Sequence, residues 1–125
     1  MTNIIDSSGW LEYFAEGENA GFFAPAIEDI DNLLVPVICV CEVFKRVFQL
    51  YGLDSAEVRI ADLYKGKIIE VDAPLALSAA RISLEMKLPM ADSMVLATAR
   101  TLNATLWTQD EHFKDIEGVR YTRRK

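Results

Sequence analysis

The segment TNIID, Thr2 to Asp6, decides the fold. It is a short β-type run that ends on an aspartate. Ser7 and Ser8 follow as candidate caps for a helix carrying Trp10, Leu11 and Phe14. Outward from this start the chain keeps alternating. Gly17 marks the end of the first helix, and Asn19 to Ile27 reads as a second short helix with Pro25 as an irregularity. Leu33 to Val37 (LLVPV) is β-type, and Pro36 assigns it to a sheet edge or a strand end. Cys39 to Tyr51 has a helical period, with Val40, Val43, Phe44, Val47 and Leu50 as its core stripe and Gly52 as its stop. Asp54 and Glu57 resemble a capping box that opens a helix to Tyr64. Lys67 to Val71 (KIIEV) is a strand. Asp72 then caps a helix to Lys87, with Pro74 in its first turn. Met90 to Leu102 is a helix rich in small residues, Ala104 to Thr108 (ATLWT) a strand, and Val119 to Thr122 a weak last strand. Strands alternating with helices predict an α/β domain around a mainly parallel sheet. Such sheets bind ligands beyond the carboxyl ends of their strands.

Bulk properties bound the rest. A chain of 125 residues, 51% hydrophobic and 26% charged, fits one domain with its own core. The longest apolar stretch, Leu33 to Cys41, is too short to span a bilayer. With no secretory pattern at the N-terminus, the expected location is the cytoplasm. Cys39 and Cys41 point to different helix faces and do not bridge; they read as small buried hydrophobes. The net charge of −6 argues against a general nucleic-acid binder but leaves room for a nuclease, because bound cations reverse the field of a carboxylate site.

The acidic residues carry the chemistry. Asp6 ends the first strand, and Glu42 lies early in the helix after the second. Asp92 is in the first turn of the helix that leads into the strand ending at Thr108, and Asp110 follows that strand by two residues. All four therefore gather at one sheet edge. Each alone has a plain explanation as a cap, a dipole partner or a turn residue. Glu42 is the odd one, because it interrupts the apolar run VICVCEVF. At about 4 Å each like-charged pair costs roughly 1–4 kcal/mol, which a hard divalent cation relieves. Oxygen ligands favour Mg²⁺ or Mn²⁺, and such a site suits phosphodiester chemistry. Ser7 and Thr108 place supporting hydroxyls beside Asp6 and Asp110.

The stretches IIDSSGWLEYF, VPVICVCEVFKR, LPMADSMVLATAR and LWTQDEHFKDI resemble the PIN-domain ribonucleases, above all the VapC toxins of VapBC toxin–antitoxin pairs. The resemblance spans 1–125 as a single PIN domain. It implies a three-layer α/β/α sandwich with a mainly parallel sheet of four to five strands. It implies Mg²⁺- or Mn²⁺-dependent endoribonuclease chemistry, with Asp6, Glu42, Asp92 and Asp110 as catalytic metal ligands and Ser7 and Thr108 as the family's hydroxyls. Cys39 departs from the Ser or Thr that relatives often carry there. The resemblance also implies a homodimer, an RNA substrate and a VapB-like antitoxin, whose groove the early helices help form; core packing explains most of Trp10, Phe14, Phe22 and Phe23, with one or two of them left for that groove.

Other residues have simpler readings. His112, the only histidine, follows a turn beside Lys114 and reads as a surface residue. Lys45, Arg46, Arg120, Arg123, Arg124 and Lys125 are candidate phosphate contacts, with a solvated tail as the simpler reading of the last three. A phosphatase or phosphoacceptor receiver lacks support, since no paired acid or D-x-D motif ends the first strand. A PIN-like binding module without catalysis is the alternative, and the presence of all four acids argues against it.

Overall fold

The first strand, β1 (Asn3–Ile5), has neighbours on both sides, which places it at the centre of a sheet. The structure, a computed structural model, describes residues 1–125. In chain order the other elements are α1 (Ser7–Phe14), α2 (Ala20–Glu28), β2 (Leu33–Pro36), α3 (Val37–Tyr51), α4 (Leu53–Leu63), β3 (Lys67–Ile69), α5 (Ala73–Met86), α6 (Met90–Thr101), β4 (Thr105–Thr108) and β5 (Val119–Tyr121). The five strands are all parallel, in the order β3-β2-β1-β4-β5. The chain winds one way from β1 to β3, then returns to the other side of β1. The switch point therefore lies between β1 and β4, where Ile5 pairs with Trp107.

Alternation along β1 builds the two sides of the core. Ile4 packs with Leu106, Ala79, Val95, Leu96 and Phe113 under α5 and α6. Ile5 packs with Trp10, Phe23, Leu33, Val35 and Val43 under α1, α2 and α4. Together with the sheet these make the three layers of an α/β/α sandwich. Helix α3 serves both sides, with Cys39 in the first cluster and Val43 and Val47 in the second. Small buried residues on α6, among them Ser93, Ala97 and Ala99, let it lie close to its neighbours.

Several local expectations change. The α1 cap is Asp6, whose side chain accepts from the Gly9 amide, rather than Ser7 or Ser8. Helix α1 stops before Gly17, and Glu16 takes the left-handed turn (φ 52°). Pro36 ends a strand, as its missing donor requires, but β2 is interior rather than an edge. Helix α3 begins at Val37, and Leu50 faces solvent while Cys39 takes a core position. Asp54 lies inside α4, whose cap is Gly52, so no capping box forms with Glu57. Asp72 does cap α5, accepting from the Leu75 amide. Cys39 is buried, but Cys41 is exposed.

Candidate active site

Asp6 leaves β1 at the switch point. Its amide donates to the Trp107 carbonyl at 3.2 Å, and its extended backbone turns the side chain into the start of α1. Oδ1 accepts from Ser8 Oγ (2.7 Å) and the Gly9 amide (3.0 Å); Oδ2 accepts from Thr108 Oγ1 (2.6 Å). Burial pushes this carboxyl up to about 6 even though the three hydrogen bonds favour its charged form; the nearby Asp110 charge adds to the rise.

Thr108, at the end of β4, is the joint of the site. Its hydroxyl donates to Asp6 and accepts from the Asp110 amide at 2.9 Å. Asp110 in turn caps a short 3-10 turn (Glu111–Phe113), accepting from the His112 amide at 3.0 Å. This turn returns the His112 ring over two carboxylates. Nδ1 lies 2.9 Å from Asp92 Oδ2 and 3.3 Å from Asp110 Oδ1. One ligand atom each from Asp92, Asp110 and His112 falls within 4.8 Å of the others. Burial raises the Asp92 carboxyl, opposed by the His112 hydrogen bond and reinforced by Asp110. The hydrogen bond to Asp92 raises His112 in turn, with the Asp110 charge acting in the same direction.

Glu42 is half-buried on α3 and accepts from Ser7 Oγ at 2.5 Å. Ser7 directly follows Asp6, so this hydrogen bond ties Glu42 to the start of α1, and the buried Cys39 thiol donates back to the Ile5 carbonyl at 3.8 Å. Burial raises that thiol first, and the negative charges of Asp6, Glu42 and Asp92 push it further.

The four sequence-predicted acids thus fall at one edge in two linked groups. Asp92 and Asp110 share His112, while Asp6 joins Asp110 through Thr108 and is followed by Ser7, which holds Glu42. Asp6 and Glu42 are outside the tightest group. The set of aromatic candidates for a partner groove must be narrowed. Trp10 and Phe23 are fully buried core residues with no surface to offer. Phe22 is half-buried against Trp107, and Phe14 is half-buried against Trp10. Sequence reasoning read His112 as a surface residue; it is exposed, but its ring also reaches Asp92 and Asp110, a contact that reading did not include. The available signal was its position, two residues beyond an acid that follows a strand.

No helix is long and apolar enough to cross a membrane. The family model described as PIN domain matches residues 4–119. None of the curated proteins matches the sequence. Among solved structures, the fold is similar to a chain of a toxin–antitoxin complex from Klebsiella pneumoniae (TM-score 0.76, 21% identity, 95% of this chain and 96% of that one). It is similar to a chain of DNA-bound VapBC from Salmonella typhimurium (TM-score 0.74, 13% identity, 98% of both). It is also similar to VapC20 of Mycobacterium tuberculosis, named as a sarcin–ricin loop cleaving toxin (TM-score 0.70, 13% identity, 90% and 92%).

Proposed function

The chain belongs to the PIN domain family, and from that premise we propose that residues 1–125 form a single-domain, metal-dependent endoribonuclease of the VapC type. The observation that carries this reading is the gathering of Asp92 and Asp110 under His112, joined to Asp6 through Thr108 and to Glu42 through Ser7, with that histidine the only basic side chain at ion-pair distance from them. Burial raises two of these acids, so the folded protein holds negative charge at a cost. His112 stands over Asp92 and Asp110 where a cation relieves the same repulsion.

The donor set fits a hard divalent ion. A carboxylate has about four lone-pair sites. Three hydrogen bonds leave Asp6 one, on Oδ2. Asp6, Glu42, Asp92 and Asp110 would hold Mg²⁺ or Mn²⁺ through oxygen. When bound, such an ion supplies Lewis-acid polarisation of the phosphodiester and a more acidic water. The protein's own contribution is positional. Thr108 fixes the Asp6 carboxylate and the Asp110 backbone with one hydroxyl, and Ser7 holds Glu42. The acid edge also suits a basic segment of a VapB-like antitoxin, whose Arg or Lys would pair with the carboxylates and exclude the metal. We place this toxin in the cytoplasm as a homodimer.

The test is cleavage of labelled RNA with Mn²⁺ and with chelator. Wild type cuts only with metal, and Asp92→Asn loses on the order of a hundredfold or more in rate while staying folded. Near-normal Mn²⁺-dependent cleavage by Asp92→Asn refutes the site. If a small protein encoded beside this chain neither co-purifies with it nor blocks cleavage, the toxin reading fails and the nuclease reading stands alone.

A further inference from the structure

Next to the acids the molecule opens into a groove of about 660 Å³ between α1, α3 and α4, bordered by the C-terminal tail. Arg46 from α3, Arg59 from α4 and Arg124 from the tail all line it. The only carboxylate in its wall is Glu12. Glu12 is already engaged, accepting from the Asn19 amide at 2.8 Å and from the Gln109 side chain at 3.4 Å. None of the three arginines makes an ion pair; the pairs in the chain are Lys65 with Asp62, and His112 with Asp92 and Asp110. Arg46 donates to the neutral Gln49, and Arg59 lies over the Phe14 ring at 5.2 Å. In a chain of net charge −6, three cations therefore share one concavity without anionic partners. An entering anion removes their mutual repulsion.

The groove adjoins the acid site. Ser8 lines it and donates to Asp6. Glu42 and Arg46 are four residues apart on α3 and so share one face of that helix. The tail is held in place as well. The buried Asn19 side chain donates to the Arg123 carbonyl at 3.0 Å and to Gln109 Oε1 at 2.8 Å, and the Thr122 amide donates to the Thr108 carbonyl.

We propose that this groove seats the RNA strand on one side of the scissile phosphate. Arg46, Arg59 and Arg124 meet backbone phosphates, and the Arg59–Phe14 pair and the exposed Tyr51 offer flat faces to bases. The inference rests on the ribonuclease reading. An acidic peptide shares the charge complementarity, but a polyanion that must also reach the carboxylate site explains why groove and site adjoin.

Binding of a fluorescent single-stranded RNA is measured by anisotropy in chelator, where no cleavage occurs. The Arg46→Ala/Arg59→Ala/Arg124→Ala protein is compared with wild type. Arg124→Glu, in the exposed tail, covers the case in which the triple variant does not fold. Arg81→Ala/Arg100→Ala, on the α5–α6 face, is the control. The triple variant is expected to bind about tenfold or more weakly at ~0.1 M salt, with the slope of log affinity against log salt shallower by about 2, roughly 0.7 per lost phosphate contact. Arg124→Glu should weaken binding in the same direction, and the control should match wild type. Unchanged affinity and slope in a folded groove variant overturn the proposal, as does a polyglutamate peptide that binds the groove where RNA does not. Metal-dependent cleavage by wild type is scored separately. Cleavage with arginine-independent binding removes the groove and keeps the nuclease. Arginine-dependent binding without cleavage keeps the groove as an RNA seat and removes the nuclease.

Discussion

Replacing Asp6 by Asn should make the metal-free protein more stable at neutral pH and less stable in acid. The Asp6 carboxyl lies at about 6 in the fold against 3.8 for an unperturbed one. The folded state thus holds this proton more tightly than the unfolded chain. Its favourable contribution is fully present below about pH 4 and is lost as pH rises through about 6. A two-unit shift corresponds to about 3 kcal/mol, of which roughly 2.5 falls between pH 4 and pH 8. An Asn side chain does not titrate, so the variant escapes this loss. It has its own pH-independent penalty. The Thr108 hydroxyl, which donates to Asp6 and accepts from the Asp110 amide, would face an amide NH₂ and lose its acceptor. That costs about 1 kcal/mol. The variant should therefore melt a few degrees below wild type at pH 4 and above it at pH 8. At about 4 °C per kcal/mol for a chain of this size, the difference between the two proteins should swing by about 10 °C. Thermal melts followed by circular dichroism in chelator, at unit steps from pH 4 to pH 8, measure this directly. A melting difference that stays constant within about 2 °C over that range would refute the reasoning, because it would mean that Asp6 ionises in the fold without a desolvation cost.

Wild type in chelator should gain stability when millimolar Mn²⁺ or Mg²⁺ is supplied, by about 2.7 kcal/mol at a hundred times the dissociation constant, and Asp92→Asn should gain less. Equal metal shifts in the two proteins count against a carboxylate metal site. Gly9→Ala should destabilise the protein by about 1–3 kcal/mol in urea unfolding. A Cβ there would lie 2.5 Å from Ile5 Cγ2 and 2.7 Å from Phe23 Cε1, and both side chains are fixed in the core. An unchanged unfolding midpoint would show that α1 does not pack on β1 this closely. Thr108→Val should lower RNA cleavage with little change in fold content, since Thr108 fixes both Asp6 and the Asp110 backbone; cleavage at the wild-type rate argues that neither needs that hydroxyl.

The sheet and the acid edge were legible in the sequence for a common reason. Strand and helix periods identify where each strand ends, and in a parallel sheet every strand ends at the same side. The positions of Asp6, Glu42, Asp92 and Asp110 at one edge follow from that, without any side-chain detail. What the sequence left unresolved depends on tertiary neighbours. Asp6, Ser7 and Ser8 are all good caps, and the cap is chosen by where Ile5 leaves the sheet. Of Trp10, Phe14, Phe22 and Phe23, sequence assigns most to the core without saying which, and it is the packing of α1 and α2 on β1 and β2 that buries Trp10 and Phe23 completely. His112 reaches Asp92 because a 3-10 turn reverses the chain after Asp110. Arg46, Arg59 and Arg124 meet in one groove only after α3, α4 and the tail have packed. These are long-range outcomes, and no local window of sequence contains them.

The two thiols, separated by a single residue on α3, face opposite chemical environments. Cys39 is sealed in the core beside three carboxylates that disfavour its thiolate, whereas Cys41 is open to solvent. A maleimide dye or spin label should therefore attach at one sulfur per folded chain, with neither an engineered cysteine nor a cysteine-free background. That attachment point is adjacent in sequence to Glu42, so the unmodified protein comes with a spectroscopic vantage point on its own acid edge.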